Sequence, residues 1–289
     1  MKTGILKLRG RTVDFPRRPL VMGIVNINDD SFCGDGKVDA GWALERAGEL
    51  VRAGADIIDV GGESARTNRQ AIREDEEWKR VRPFVEGFAD CMSVSEPRDG
   101  VQVFPPILSI NTWRAGVARR SLEAGGELLN DMSGLPDATN ARICAETGAA
   151  LLIMHTRGAP KVAHTHVTYD DVIGEIRSFF EEKIRLAVSA GLDRERIVID
   201  PGIDFAKQQP DNLRVFRELG RLEAFGCPVL LPVSRKSVIG QVLGIDEPSA
   251  RDAGTVACIV AGILRGAAIF RVHSVDAAWH SIRAMEVVV

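Results

Sequence analysis

Eight short apolar runs are spaced along the chain, and each stops at a polar or ionisable residue. The runs cover 20–25, 56–60, 106–110, 127–129, 150–154, 196–199, 228–233 and 267–272. Between them, 39–53, 74–90, 113–125, 137–148, 170–190, 210–224, 247–265 and 275–287 have helix-forming composition. Near-continuously apolar strands separated by helices are what a parallel sheet buried on both faces requires. Helix starts are signalled by Asp39, by Pro136-Asp137 and by Pro210-Asp211. The pattern predicts an α/β protein, a (β/α)8 TIM barrel, for which 289 residues suffice. The segment before the first run, ILKLRGRTVDF with Gly10 in its middle, predicts an N-terminal β-hairpin that plugs the bottom of the barrel. The chain thus reads as one domain over 1–289, with a hairpin at 1–18 and a barrel at 19–289. Residues 92–105 read as a polar surface loop.

The strand ends carry Asn26, Gly61-Gly62-Glu63, Asn111, Asn130-Asp131, His155, Asp200-Pro201-Gly202, Ser234-Arg235-Lys236, and Arg271 with His273. A barrel gathers the C-terminal ends of all its strands at one mouth, where active sites are built, so these residues are expected to converge. A single polar strand end needs no function, because strands must enter loops. Eight ends rich in amides, carboxylates and cations are a different matter.

The expected mouth has two chemical halves. Asn111, Asn130, Asp200 and Lys236 suit a flat heterocycle whose rim alternates donors and acceptors. A buried carboxylate there would reject analogues lacking the matching N–H groups. Asp200 could equally cap the Asp-Pro-Gly turn. Arg271 and His273 follow strand eight, and Ser234 to Lys236 follow strand seven, the corner where barrels often hold phosphate. An arginine fork beside a second donor matches a phosphoryl group. The loop after strand one, residues 26–36, is dense in oxygen donors, with Asn26 the best placed ligand for Mg2+ and Asp29, Asp30 and Asp35 equally readable as a solvated acidic loop. The loop after strand two, residues 61–74, has glycines at its root and reads as a mobile lid. His164 and His166 read as surface residues, and Arg157 is left open.

Other classes fit poorly. A net charge of −3 gives no basic footprint for nucleic acid or an anionic membrane. Five dispersed cysteines without a CxxC pair read as reduced thiols, and the N-terminal stretch lacks an apolar core, so the expected compartment is the cytoplasm. No G-x-S-x-G or HExxH motif occurs.

MGIVNINDDSFCGDG (22–36), GADIIDVGGESAR (54–66), LSINT (108–112), LNDMSG (129–134), MHTRGAP (154–160), DPGIDFAK (200–207), VSRKSVIG (233–240) and RVHS (271–274) resemble, in order, the signatures of the dihydropteroate synthase family. The resemblance implies a transferase of folate biosynthesis. It would join 6-hydroxymethyl-7,8-dihydropterin pyrophosphate to p-aminobenzoate, with Mg2+, giving 7,8-dihydropteroate and pyrophosphate. It implies that Asn130, Asp200 and Lys236 grip the pterin, with Met154 and Phe205 shaping its pocket. Arg271 and His273 would bind the leaving group, and Asn26 would help hold Mg2+. Ser234, Ala65 and Arg66 would lie on the p-aminobenzoate side. Family members are commonly homodimers.

Several positions depart from the family pattern. Asn28-Asp29 stands for Thr-Pro, Ala65-Arg66-Thr67 for Thr-Arg-Pro, Asp204 for glycine and Ser274 for Asp. The changed loop two is expected to reduce sulfonamide sensitivity, since these drugs imitate p-aminobenzoate. Asn111 stands where the family has Asp. Loss of one charge-assisted hydrogen bond, ~1.5–3 kcal/mol, would slow the reaction roughly ten- to a hundredfold. Two alternatives follow: a non-catalytic pterin-binding paralogue, or a methyltetrahydrofolate-dependent methyltransferase on the same barrel.

Overall fold

A computed structural model describes residues 4–15, 17–28, 36–64, 67, 70–162 and 166–288. An antiparallel hairpin, β1 (Gly4–Leu8) and β2 (Arg11–Phe15), precedes eight parallel strands. In chain order these are β3 (Leu20–Asn26), β4 (Ile57–Gly61), β5 (Ile107–Asn111), β6 (Leu128–Asp131), β7 (Ala150–Met154), β8 (Ile197–Asp200), β9 (Leu230–Leu231) and β10 (Ile269–Val272). Consecutive strands pair from β3 to β8, β9 pairs with β10, and β10 returns to β3. Ile199 N–H donates to the Pro228 carbonyl at 3.1 Å and bridges Val229, which brings β8 to β9 and closes the circle. The expected (β/α)8 barrel with its N-terminal hairpin is therefore the fold.

A helix follows each barrel strand, and two follow β9: α1 (Ala40–Arg52), α2 (Glu74–Ser93), α3 (Ala115–Glu123), α4 (Thr139–Thr147), α5 (Val172–Ser189), α6 (Gln209–Glu218), α7 (Ser237–Leu243), α8 (Asp252–Ile263) and α9 (Val275–Val288). Two elements differ from the sequence expectation. The run at 228–233 yields only a two-residue strand, because Pro228 and Pro232 have no N–H to give a ladder. The helix expected over 210–224 stops at Glu218 and tightens into a 3-10 turn, Leu219–Phe225. α7 is too short to leave a helical periodicity, and no expectation covered it.

Alternation along the strands divides the core. Ile58, Val60, Ile110, Leu129, Leu151 and Ile153 face outward and pack under the helices. Met22, Ile57, Ile107, Leu128, Leu152, Val198 and Leu230 face inward and fill the lower barrel. Leu6, Leu8, Val13 and Phe15 of the hairpin join this inner cluster and close the bottom. Beside them Arg18 donates twice to Asp56, at 2.9 and 2.9 Å, in a fully buried pair. Asp56 also accepts from Val21 and Val103 N–H, so its charge is compensated on every side. Among the described residues no helix is long and apolar enough to cross a membrane.

Candidate active site

Going up each strand in steps of two, the inward positions change from apolar to polar. Ile57 gives way to Asp59, Ile107 to Ser109 and Asn111, Leu128 to Asn130, Val198 to Asp200, and Ile269 to Arg271. The polar upper layer is the floor of a cavity of about 610 Å³ at the mouth, within the usual range for a small-molecule site. Asn26, Asn111, Asn130, Met154, Asp200, Phe205, Ser234, Lys236, Arg271 and His273 all line it. Ala65 and Arg66, like Asp29, Asp30, Asp35 and His164, lie outside the described residues. Ser64 and Thr67 of loop two line the cavity too, and His166 is exposed.

The same alternation separates neighbours that sequence reading kept together. Asn130 points in, whereas Asp131 points out, accepts from Ser133 and Asn140, and has its pKa raised by burial. His155 is buried outside the cavity lining, edge-on to Phe179. Arg157 turns to Glu175 and lies over the Tyr169 ring, 4.4 Å from its centroid.

Asp59, fully buried beneath the cavity, organises the floor and was missed in the sequence. It accepts from Ser109 Oγ at 2.6 Å, Asn130 Nδ2 at 3.1 and 3.2 Å, Asn111 Nδ2 at 3.3 Å and Arg271 Nε at 2.7 Å. Its one signal was a carboxylate at an inward position of an otherwise apolar run. Because Asn111 spends its N–H on Asp59, its Oδ1 is left buried without a hydrogen-bond partner. A buried acceptor of that kind costs free energy until a ligand donor meets it.

Asp200 is 4 % exposed and its pKa is pushed up to about 6 by burial, against the pull of the Gly202 N–H, Lys236, Lys207 and Arg271. It does cap its turn, accepting from Gly202 N–H at 2.7 Å, and it lines the cavity as well. The turn cap is therefore present, and it leaves the residue in the cavity lining. Lys236 Nζ donates to the Ile203 carbonyl at 2.9 Å and stands 4.7 Å from the centre of the Phe205 ring. His273 takes Ser234 Oγ at both its backbone N–H and its Nδ1, at 3.0 and 2.8 Å. Lys207, another residue without a sequence expectation, is buried and holds the 200–207 loop from inside. Its ammonium contacts the Gly202 and Phe205 carbonyls at 3.0 and 3.1 Å and His155 Nδ1 at 2.8 Å. Burial lowers its pKa to about 7, and burial with the Lys207 charge lowers that of His155 to about 2, so the imidazole is neutral.

The root of loop two is pinned by buried charges. Arg114 bridges Glu63 and Glu77 at 2.6 and 2.5 Å, while Lys161 reaches Glu63 at 3.4 Å and the Ser64 carbonyl at 3.0 Å. Burial raises the pKa of Glu77. Among the described residues no three His, Cys, Asp or Glu side chains converge as a metal cage. Asn26 offers a single hard oxygen donor on the strand beside Arg271 and His273. Such a set fits Mg2+, which takes few protein ligands when phosphates supply the rest.

The chain is similar over nearly its whole length to proteins of one family. Residues 22–273 match the family of pterin binding enzymes. The dihydropteroate synthase of Escherichia coli K12 is 36% identical over 282 residues, which are 96% of this chain and 94% of that protein. The Yersinia pestis dihydropteroate synthase, solved with a sulfonamide drug, superposes with a TM-score of 0.87 at 36% identity, covering 98% and 97% of the two chains. The Xanthomonas albilineans enzyme, solved with 4-aminobenzoic acid, superposes with a TM-score of 0.86 at 32% identity, covering 99% and 98%. With the family match, the fold and these relatives in agreement, the chain belongs to the dihydropteroate synthase family of pterin-binding transferases.

Proposed function

We propose that the cavity condenses 6-hydroxymethyl-7,8-dihydropterin pyrophosphate with p-aminobenzoate, forming 7,8-dihydropteroate and releasing pyrophosphate. In this reading Asp200 accepts two ring N–H bonds, Lys236 donates to a ring acceptor, and Asn130 and Asn111 complete the rim. Met154 and Phe205 form the apolar walls. Arg271 and His273 hold the diphosphate, and Asn26 would be the protein ligand of Mg2+, which would supply positive charge beside the leaving group. Ser234, with Ala65 and Arg66, meets p-aminobenzoate.

The bond between the methylene carbon and the bridging oxygen breaks, and its electron pair leaves with pyrophosphate. The aniline nitrogen lone pair then forms the new C–N bond, and the nitrogen loses one proton. Such a step needs stabilised charges at both ends more than a strong base. The observation that carries the reading is one cavity bordered by Asp200, Lys236, Arg271 and His273 from three strands, with the Asn111 acceptor unsatisfied in its wall. Asn111 does not strip that wall of charge, because the Asp59 carboxylate is 3.3 Å away. The motive for a non-catalytic paralogue thereby weakens.

Mixing the purified chain with Mg2+, the pterin pyrophosphate and p-aminobenzoate should release pyrophosphate and yield dihydropteroate. No release at high enzyme concentration rejects the proposal. Reduced sulfonamide sensitivity is proposed with it, and an inhibition constant as tight as that of a relative with Thr-Arg-Pro in loop two would remove it. A homodimer in the cytoplasm is also proposed. Support comes from apolar side chains left exposed on and after α7 and α8, such as Leu243 and Leu264, and light scattering tests the dimer.

A further inference from the structure

We propose that Asp204 is a positioning residue that sets Lys236 against Phe205, and so fixes the width of the proposed pterin slot. Asp204 holds φ at 64°, a left-handed conformation that disfavours side chains other than those of Gly, Asn and Asp. Something must hold it there, and its contacts do so. Its backbone N–H donates to Asn212 Oδ1 at 2.9 Å, and its Oδ1 accepts from Asn212 Nδ2 at 3.1 Å, a reciprocal pair with α6. Its Oδ2 accepts from the Ser237 N–H at 2.5 Å, and the carboxylate also receives the Val238 N–H at 3.3 and 3.4 Å. These two amides follow directly on Lys236 and open α7. The carboxylate thus ties the loop after β8 to the loop after β9. The Lys236 ammonium repeats the tie from the other side, through the Ile203 carbonyl. Phe205 and Lys236, adjacent to the two ends of the clamp, keep their 4.7 Å spacing because neither loop can slide. Ser234 lies upstream and is held separately by His273, so the clamp acts on the pterin side.

The inference rests on the reading of the cavity given above. It is tested with the full chain and its Asp204→Gly and Asp204→Asn variants, by pyrophosphate release and by calorimetric binding of 6-hydroxymethylpterin. Glycine accepts the left-handed backbone without steric cost, so this variant removes the carboxylate and keeps the turn. Loss of a charge-assisted clamp should raise the pterin KM and dissociation constant about tenfold, leaving kcat and the p-aminobenzoate KM within about threefold. Asparagine tolerates the same φ and retains an oxygen for the Ser237 N–H, so it should recover part of the loss. A pterin KM and dissociation constant within twofold of the parent in Asp204→Gly overturns the positioning role. So does an equal rise in both KM values with no recovery by Asn. A parent chain that neither releases pyrophosphate nor binds the pterin removes the underlying reading, and the clamp with it.

Discussion

Asp200 ionises late for a carboxyl group. Burial lifts its pKa from 3.8 to about 6, so between those values the folded chain keeps a proton that the unfolded chain has lost. Ionising it therefore subtracts stability as pH rises through that window. In the proposed role, accepting two pterin ring N–H bonds needs the ionised form, which reverses the sign for binding. Affinity for 6-hydroxymethylpterin, chosen because it has no phosphate of its own to titrate, should fall toward tenfold per pH unit below about 6. Asp200→Asn should bind weakly at every pH. A dissociation constant equal at pH 7 and pH 5 excludes this role for Asp200. Asn111 shows how a residue legible by position can mislead by chemistry. Read alone, an amide in place of a carboxylate looks like lost charge, yet it donates to Asp59. Asn111→Asp would set two carboxylates about as close as that bond, and such pairs share a proton. The added charge is thus largely cancelled, and kcat/KM for the pterin substrate should change by less than about tenfold, below the upper end of the loss expected from one charge-assisted bond. A hundredfold gain would mean that Asp59 does not compensate.

Strands and their loops divide the labour, and sequence revealed one part better than the other. The apolar runs located all eight barrel strands because β3 to β8 and β10 are buried on both sides and must be continuous in apolar character. The polar ends located the cavity lining for the same reason in reverse. Hidden were Asp59, which sits inside an apolar run, and Lys207 and Asp204, whose meaning lies in contacts across a loop fold. Adjacent residues such as Asn130 and Asp131 could not be assigned to opposite faces until the register was known. The Arg18–Asp56 pair belongs to the bottom of β3 and β4 and is fully buried. Truncating its cation leaves a buried carboxylate with backbone donors alone. Arg18→Ala should cost about 3–5 kcal/mol of unfolding free energy, seen as a lower urea midpoint. A loss under 1 kcal/mol would show that water reaches Asp56.

At the scale of the whole molecule, the inner core is a gradient from hydrocarbon to charge. The hairpin and the lower strand residues form a continuous apolar plug through Leu6, Leu8, Phe15, Met22, Ile57 and Leu128. Above it lies the layer of Asp59, Ser109, Asn130 and Arg271, whose hydrogen bonds are to one another. Close packing transmits a void locally, whereas a polar layer held by its own bonds needs little from the plug below except support. Stability and chemistry should therefore separate along the barrel axis. Leu6 is fully buried, and Leu6→Ala should lower the unfolding free energy by about 2–5 kcal/mol. At a temperature where the variant stays folded, kcat and both KM values should remain within about twofold of the parent, since no polar bond of the floor is touched. Denaturant melts and steady-state pyrophosphate release, run on the same preparation, read the two ends independently. If Leu6→Ala slowed turnover tenfold while folded, the floor would be set by packing from beneath, and Asp59 would be a passenger of the plug, not its own anchor.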